Sequence, residues 1–198
     1  MIFSLRKGRW ALLLTAFFIS PGYGQERLKL CAECHGQDGN STRAGIPSIA
    51  GQPRTYMENQ LVLAREGLRG AKEMQDALRG VTDKEIVQLA QYFAAQQARS
   101  TPGAVDKKIF DRGAAAAKNL RCGVCHLPDF SGRAQMPRLA GQREDYLLET
   151  MKTFRDKPRA GGDTIMSDAL RGVSDADIKA LAHYLSRSRS DRAGGRAR

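Results

Sequence analysis

Cys31-Ala-Glu-Cys34-His35 and Cys122-Gly-Val-Cys125-His126 decide how this chain is read. The two stretches use all 4 cysteines and two of the 3 histidines in 198 residues. Cys-x-x-Cys-His is the pattern of covalent c-type haem attachment. Two thiols on one turn can add to the haem vinyl groups, and the adjacent imidazole then lies beneath the iron as its proximal ligand. Two copies predict two covalently bound haem c groups, attached through Cys31 and Cys34 and through Cys122 and Cys125. His35 and His126 are the expected iron ligands.

Other cysteine chemistries explain less. A thioredoxin-like Cys-x-x-Cys belongs with a βαβ pattern, and no alternating strand pattern is visible here. A zinc site built from two Cys and one His lacks a fourth ligand. That reading also leaves unexplained why His follows the second Cys in both copies. Disulfides closing two intervening residues would staple nothing useful.

Working outward, the chain repeats at a shift of about 90 residues. Pro47-Ser-Ile-Ala-Gly-Gln52 answers to Pro137-Arg-Leu-Ala-Gly-Gln142, and Tyr56 to Tyr146. Met74-Gln-Asp-Ala-Leu-Arg-Gly-Val-Thr-Asp83 answers to Met166-Ser-Asp-Ala-Leu-Arg-Gly-Val-Ser-Asp175. Two long copies indicate two domains, since a solenoid needs at least three repeats. The expected division is a signal peptide at 1–24, a first domain at 25–97, a linker at 98–103, a second domain at 104–187 and a basic disordered tail at 188–198.

Both domains are expected to be all-α. The last helix of each is the clearest: Thr82 with Glu85 and Ser174 with Asp177 resemble N-terminal capping boxes. Beyond them, Ile86, Leu89, Ala90 and Phe93 share one helical face, as do Ile178, Leu181, Ala182 and Leu185. Helices are also expected at 54–66 and 143–155. An alanine-rich helix should lead into the second haem motif, whereas residues 25–30 leave room for one or two turns before the first. The Gly-bearing segments 67–73 and 157–165 read as loops carrying a methionine.

The repeat also selects the second iron ligands. Met57 answers to Leu147, Met136 to Ile46 and Met151 to Leu61, exchanges expected of packing positions. Met74 and Met166 answer to each other, 39 and 40 residues after their histidines. A neutral thioether suits the iron of an electron carrier, so Met74 and Met166 are the expected axial partners. His183 has Gln91 as its counterpart and reads as a partly exposed surface residue. Pro47 and Pro137 follow each haem loop and read from the residues alone either as ordinary turn prolines or as stiffening a carbonyl that accepts the second ring N–H of the ligating His.

The amino terminus carries Arg6, Lys7 and Arg9, then an apolar run of about ten residues, then Ser20-Pro-Gly-Tyr-Gly24. Basic, apolar and small segments in that order form a secretory signal peptide, with cleavage expected between Gly24 and Gln25. The apolar run is shorter than the roughly 20 residues of a spanning helix; retention as an uncleaved anchor is the alternative. Export agrees with c-type haem attachment and points to the periplasm. The formal charge of +11 favours an acidic redox partner or anionic lipid headgroups, with peripheral membrane association, over nucleic acid that an exported chain rarely meets.

On these motifs, the two Ala-Gly-Gln segments and the paired Met-x-Asp-Ala-Leu blocks, the chain resembles the cytochrome c4 family, dihaem cytochromes with two class I cytochrome c domains in tandem. The resemblance covers roughly residues 26 to 187. It implies a His and a later Met on each iron, two haems facing each other across the domain interface, and a periplasmic electron carrier serving an acceptor such as a terminal oxidase. Donors would be an upstream cytochrome or dehydrogenase. Two departures stand out: a short lead into the first motif, and Leu127-Pro128 where the first domain has Gly36-Gln37.

The leading functional reading is therefore single-electron transfer without substrate chemistry, since His/Met ligation fills both axial positions. A haem subunit of a larger, flavocytochrome-like dehydrogenase is the alternative, and a dihaem peroxidase a remote one.

Overall fold

The computed structural model describes residues 22–100, 102–156 and 164–190. The expected signal peptide, nearly all of it, most of the second methionine-bearing loop and residues 191–198 of the tail lie outside these. Nine helices occur among the described residues: α1 (Gly22–His35), α2 (Arg54–Arg65), α3 (Lys72–Ala77), α4 (Asp83–Ala94), α5 (Lys107–Asn119), α6 (Cys122–His126), α7 (Glu144–Asp156), α8 (Thr164–Leu170) and α9 (Asp175–Arg187). The one β-type pairing among them is an isolated bridge between Arg133 and Met136. The all-α expectation holds.

Each half builds its own apolar core. In the first, Met57, Leu61 and Ala64 of α2 meet Ile86, Leu89, Ala90 and Phe93 of α4. In the second, Leu147 and Met151 of α7 meet Ile178, Leu181, Ala182 and Leu185 of α9, with Ala117 of α5 and Phe130 completing the cluster. All eight residues predicted on the faces of α4 and α9 are buried. Each Leu, Ile or Phe so placed contributes about 1.5–3 kcal/mol relative to exposure.

The caps that start these helices differ by one methylene. Thr82 accepts from the Glu85 N–H while the Glu85 carboxylate accepts from the Thr82 backbone N–H, a closed capping box. Ser174 accepts from the Asp177 N–H, but Asp177 takes its bond from the Ser174 hydroxyl at 2.7 Å. The shorter Asp side chain leaves the reciprocal backbone arm of the box unmade.

The two halves join through matching polar contacts related by the repeat. The Gln52 amide bonds the backbone of Arg138, accepting from its N–H at 2.9 Å and donating to its carbonyl at 3.0 Å. The Gln142 amide does the same to Ser48, with both distances 2.8 Å. Ser48 and Arg138 are repeat equivalents, as are the two glutamines, so the seam is a pseudo-twofold interface in which each half presents the same segment to the other. Around it, Asp145 accepts from the Gly45 N–H at 2.9 Å and the Tyr56 N–H donates to the Ala134 carbonyl at 3.0 Å.

Two expectations need correction. Met74 and Met166 ride on short helices, α3 and α8, instead of loops; one or two turns are too few to show apolar periodicity. His183 is buried, 6% exposed. Its Nε2 accepts from the Asp106 N–H at 3.1 Å and its Nδ1 faces both Glu144 carboxylate oxygens at 3.3 Å. Partners 77 and 39 positions away hold it inside.

Candidate functional site

Both Cys-x-x-Cys-His motifs are helical, so the two thiols of each project from one turn. In the first half, α1 runs unbroken through Cys31 and Cys34 to His35. In the second, α5 stops at Asn119, Arg121 takes a left-handed conformation (φ 56°), and α6 restarts at Cys122. Cys31 and Cys122 are partly buried and pack against the first and second core respectively. Burial pushes both thiols up from their ordinary value, which keeps them protonated.

The histidines follow one geometry. His35 Nδ1 lies 2.9 Å from the Pro47 carbonyl, and His126 Nδ1 lies 2.9 Å from the Pro137 carbonyl. A carbonyl can only accept, so Nδ1 carries the proton in each ring and Nε2 presents its lone pair. Both rings are buried. Burial drives the His35 imidazole below its ordinary value, with the bond to Pro47 pulling the other way. A neutral ring of fixed tautomer is the form that ligates a metal.

Met74 is partly buried against the cluster that receives Cys31, and Met166 against the cluster that receives Cys122. The other methionines sit elsewhere: Met57 and Met151 are core residues at 4% and 7% exposure, and Met136 belongs to the bridge with Arg133. His183, engaged at both ring nitrogens, is unavailable as a ligand. Each half thus sets one cysteine and one methionine against a single apolar core, with the second cysteine and a carbonyl-bonded imidazole on the same helix.

This donor set suits haem c. It supplies two tethers at the two-residue spacing, one nitrogen ligand and one soft sulfur ligand, all uncharged, beside an apolar wall. Among the described residues there is no group of three or more His, Cys, Asp or Glu that could hold a bare metal ion.

One residue at the domain boundary escaped the sequence reading. Arg69, following α2, donates to the Tyr56 hydroxyl at 3.3 Å and to the Tyr146 hydroxyl at 3.1 Å. A guanidinium bracketed by the repeated tyrosines places positive potential where the two halves meet. The tyrosine pair was visible in the repeat, but nothing in the sequence linked it to Arg69.

Comparison with known proteins agrees with this architecture. The family model described as cytochrome c matches twice, at residues 23–97 and 110–188. Cytochrome c4 of Pseudomonas aeruginosa is 32% identical over 173 residues, covering 82% of this chain and 85% of that protein. The crystal structure of reduced recombinant cytochrome c4 from Pseudomonas stutzeri is similar with a TM-score of 0.74 at 30% identity, covering 83% of this chain and 96% of the other. A Thiomonas intermedia protein named thiosulfate dehydrogenase electron acceptor is 28% identical over 171 residues, 78% of this chain and 76% of that protein.

Proposed function

Because the chain belongs to the cytochrome c4 family of dihaem electron-transfer cytochromes with two covalently bound haem c groups, we propose that it is an exported relay that exchanges single electrons and performs no substrate chemistry of its own. In this reading Cys31 and Cys34 tether one haem and Cys122 and Cys125 the other. His35 with Met74 and His126 with Met166 would hold the two irons. When bound, haem supplies an iron that passes between ferrous and ferric states by one electron. The chain's own residues decide what that iron can do.

The Pro47 and Pro137 carbonyls, each 2.9 Å from a ring Nδ1, orient the imidazoles and raise their basicity. The thioethers of Met74 and Met166 would each supply a neutral, soft sulfur donor, which favours the reduced state. With one histidine and one methionine held for each iron, the chain would leave no ligand position for a substrate, which separates this reading from a peroxidase. The twice-repeated grouping of thiol, carbonyl-bonded imidazole and methionine on one core is the observation that carries the proposal.

Location and partners follow from the same reading. The basic, apolar, small order of residues 1–24 supports export to the periplasm. No described helix is long and apolar enough to cross a membrane. The basic charge supports an acidic redox partner, a terminal oxidase among the acceptors, or peripheral association with an anionic membrane. Likeness to the Thiomonas acceptor favours a second reading, in which a dehydrogenase is the donor and the two chains copurify.

Met74→Ala and Met166→Ala test the ligand assignment. Each is expected to change the spin state and visible spectrum of one haem and leave the other as in the wild type. A variant with both haem spectra unchanged would exclude its methionine as a ligand.

A further inference from the structure

We propose that the seam between the two domains, on its linker side, carries a binding site for a small tetrahedral oxyanion, phosphate or sulfate, centred on Arg138. Arg138 is 2% exposed and has no ion pair with any described carboxylate. Two of its guanidinium nitrogens donate to backbone carbonyls, Nη1 to Ala140 and Nη2 to Ala50 of the other half, the latter at 2.9 Å. Its Nε is buried with no hydrogen-bond partner. Carbonyl oxygens satisfy donors without cancelling a charge, and an unbalanced buried cation is costly.

Arg138 is among the residues that line a cavity of about 360 Å³. Arg99 and Ser100 of the linker and Ser188, Arg189 and Ser190 beyond α9 line it together with Arg138. Arg99 is paired with Asp38 at 2.7 Å; Arg189 is exposed on the rim. The lining therefore offers two cations without a carboxylate, one cation already balanced and three hydroxyls. Burial pushes the Arg138 guanidinium down to about 10. A planar guanidinium fork matches an oxyanion with parallel N–H donors, and serine hydroxyls suit its remaining oxygens.

The repeat shows that the fold does not require a cation here. Ser48 stands at the equivalent place and makes the same pair of backbone bonds to Gln142 that Arg138 makes to Gln52. Arginine is thus an addition at one side of an otherwise symmetric seam. An anion seated there would bind linker, α9 terminus and interface segment together and stabilise the docked domains.

The test is calorimetric titration of the holoprotein with phosphate and with sulfate, against chloride at matched ionic strength. One equivalent of phosphate or sulfate is expected to bind, with a rise in Tm that chloride does not give. Arg138→Ser, which installs the residue of the first half, is expected to weaken binding about tenfold or more, the size of a lost charge-assisted bond. Arg189→Ala, at an exposed position where folding is not at stake, is expected to weaken it several-fold with both haem spectra intact. Phosphate and sulfate behaving like chloride, or wild-type affinity in Arg189→Ala together with any folded Arg138→Ser, would overturn the proposal.

Discussion

The two halves share the proposed ligand set, the core pattern and the interface segment, yet they hold the stretch before their haem motifs in different ways. In the second, α5 lies across α9 over most of its length. The approach is close: a Cβ on Gly113 would lie 2.1 Å from the Ala180 carbonyl oxygen and 2.6 Å from the Tyr184 Cβ. Phe110 and Phe130 both meet the Tyr184 ring edge-on, at centroid distances of 4.9 and 5.7 Å. In the first half, α1 makes no comparable crossing with α4 among the described residues; Leu28 and Cys31 pack against the core there and Arg27 lies 4.0 Å from Glu85. The repeat aligns Gly113 with Gly22, upstream of the expected cleavage point. The counterparts of residues 107–112 precede Gly22 and lie outside the described residues; the crossing that backs Cys122 leads to the expectation that the second haem is the better covered.

A second difference is compensated. Gly39 of the first half corresponds to Phe130 of the second, and Phe93 to Leu185. Both members of the first pair accept bonds from the same segment: the Gly39 carbonyl from Ile49 and Ala50, the Phe130 carbonyl from Leu139 and Ala140. Both take positive φ, 77° and 55°. A Cβ on Gly39 would lie 2.9 Å from Phe93 Cδ1. The large ring therefore occupies the helix in one half and the loop in the other, and the two cores fill the same space from opposite sides.

The largest effect is expected from breaking the helix crossing. Gly113→Val forces side-chain atoms into the α9 backbone, which cannot yield as a flexible side chain would. Overpacking of this kind costs about 1–3 kcal/mol and occasionally more, and the backbone contact puts this case at the upper end. Thermal unfolding should then show the second half melting early, with the first-half haem spectrum retained; a variant as stable as the wild type would mean the crossing is loose.

A smaller effect separates the two ways of filling the core. Gly39→Phe alone is expected to destabilise the first half by about 1–3 kcal/mol. Gly39→Phe with Phe93→Leu should recover part of that, with a coupling of about 1 kcal/mol in a double-mutant cycle. Strict additivity would show that the two positions do not share a volume.

How much of this could be read beforehand depended on distance along the chain. The faces of α4 and α9, the methionine pair and the roles of Pro47 and Pro137 were legible because each rests on local periodicity or on the repeat. His183 was misread because Glu144 and Asp106, which bury and bond it, are remote in sequence. The Gln52–Arg138 and Gln142–Ser48 pairings bridge 86 and 94 positions and leave no short-range mark. Gly39 and Phe130 looked like ordinary loop residues, because their compensation exists only across the packed core.

The most direct test of two unequally covered His/Met haems is a potentiometric titration of the purified holoprotein followed by its visible spectrum. Burial without added charge disfavours the more highly charged ferric state, so the haem of the better covered second half should have the higher potential. The expected result is two separate one-electron steps, with the higher one altered in Met166→Ala and the lower one in Met74→Ala. A single step for both haems, or the higher step altered in Met74→Ala, would contradict the account.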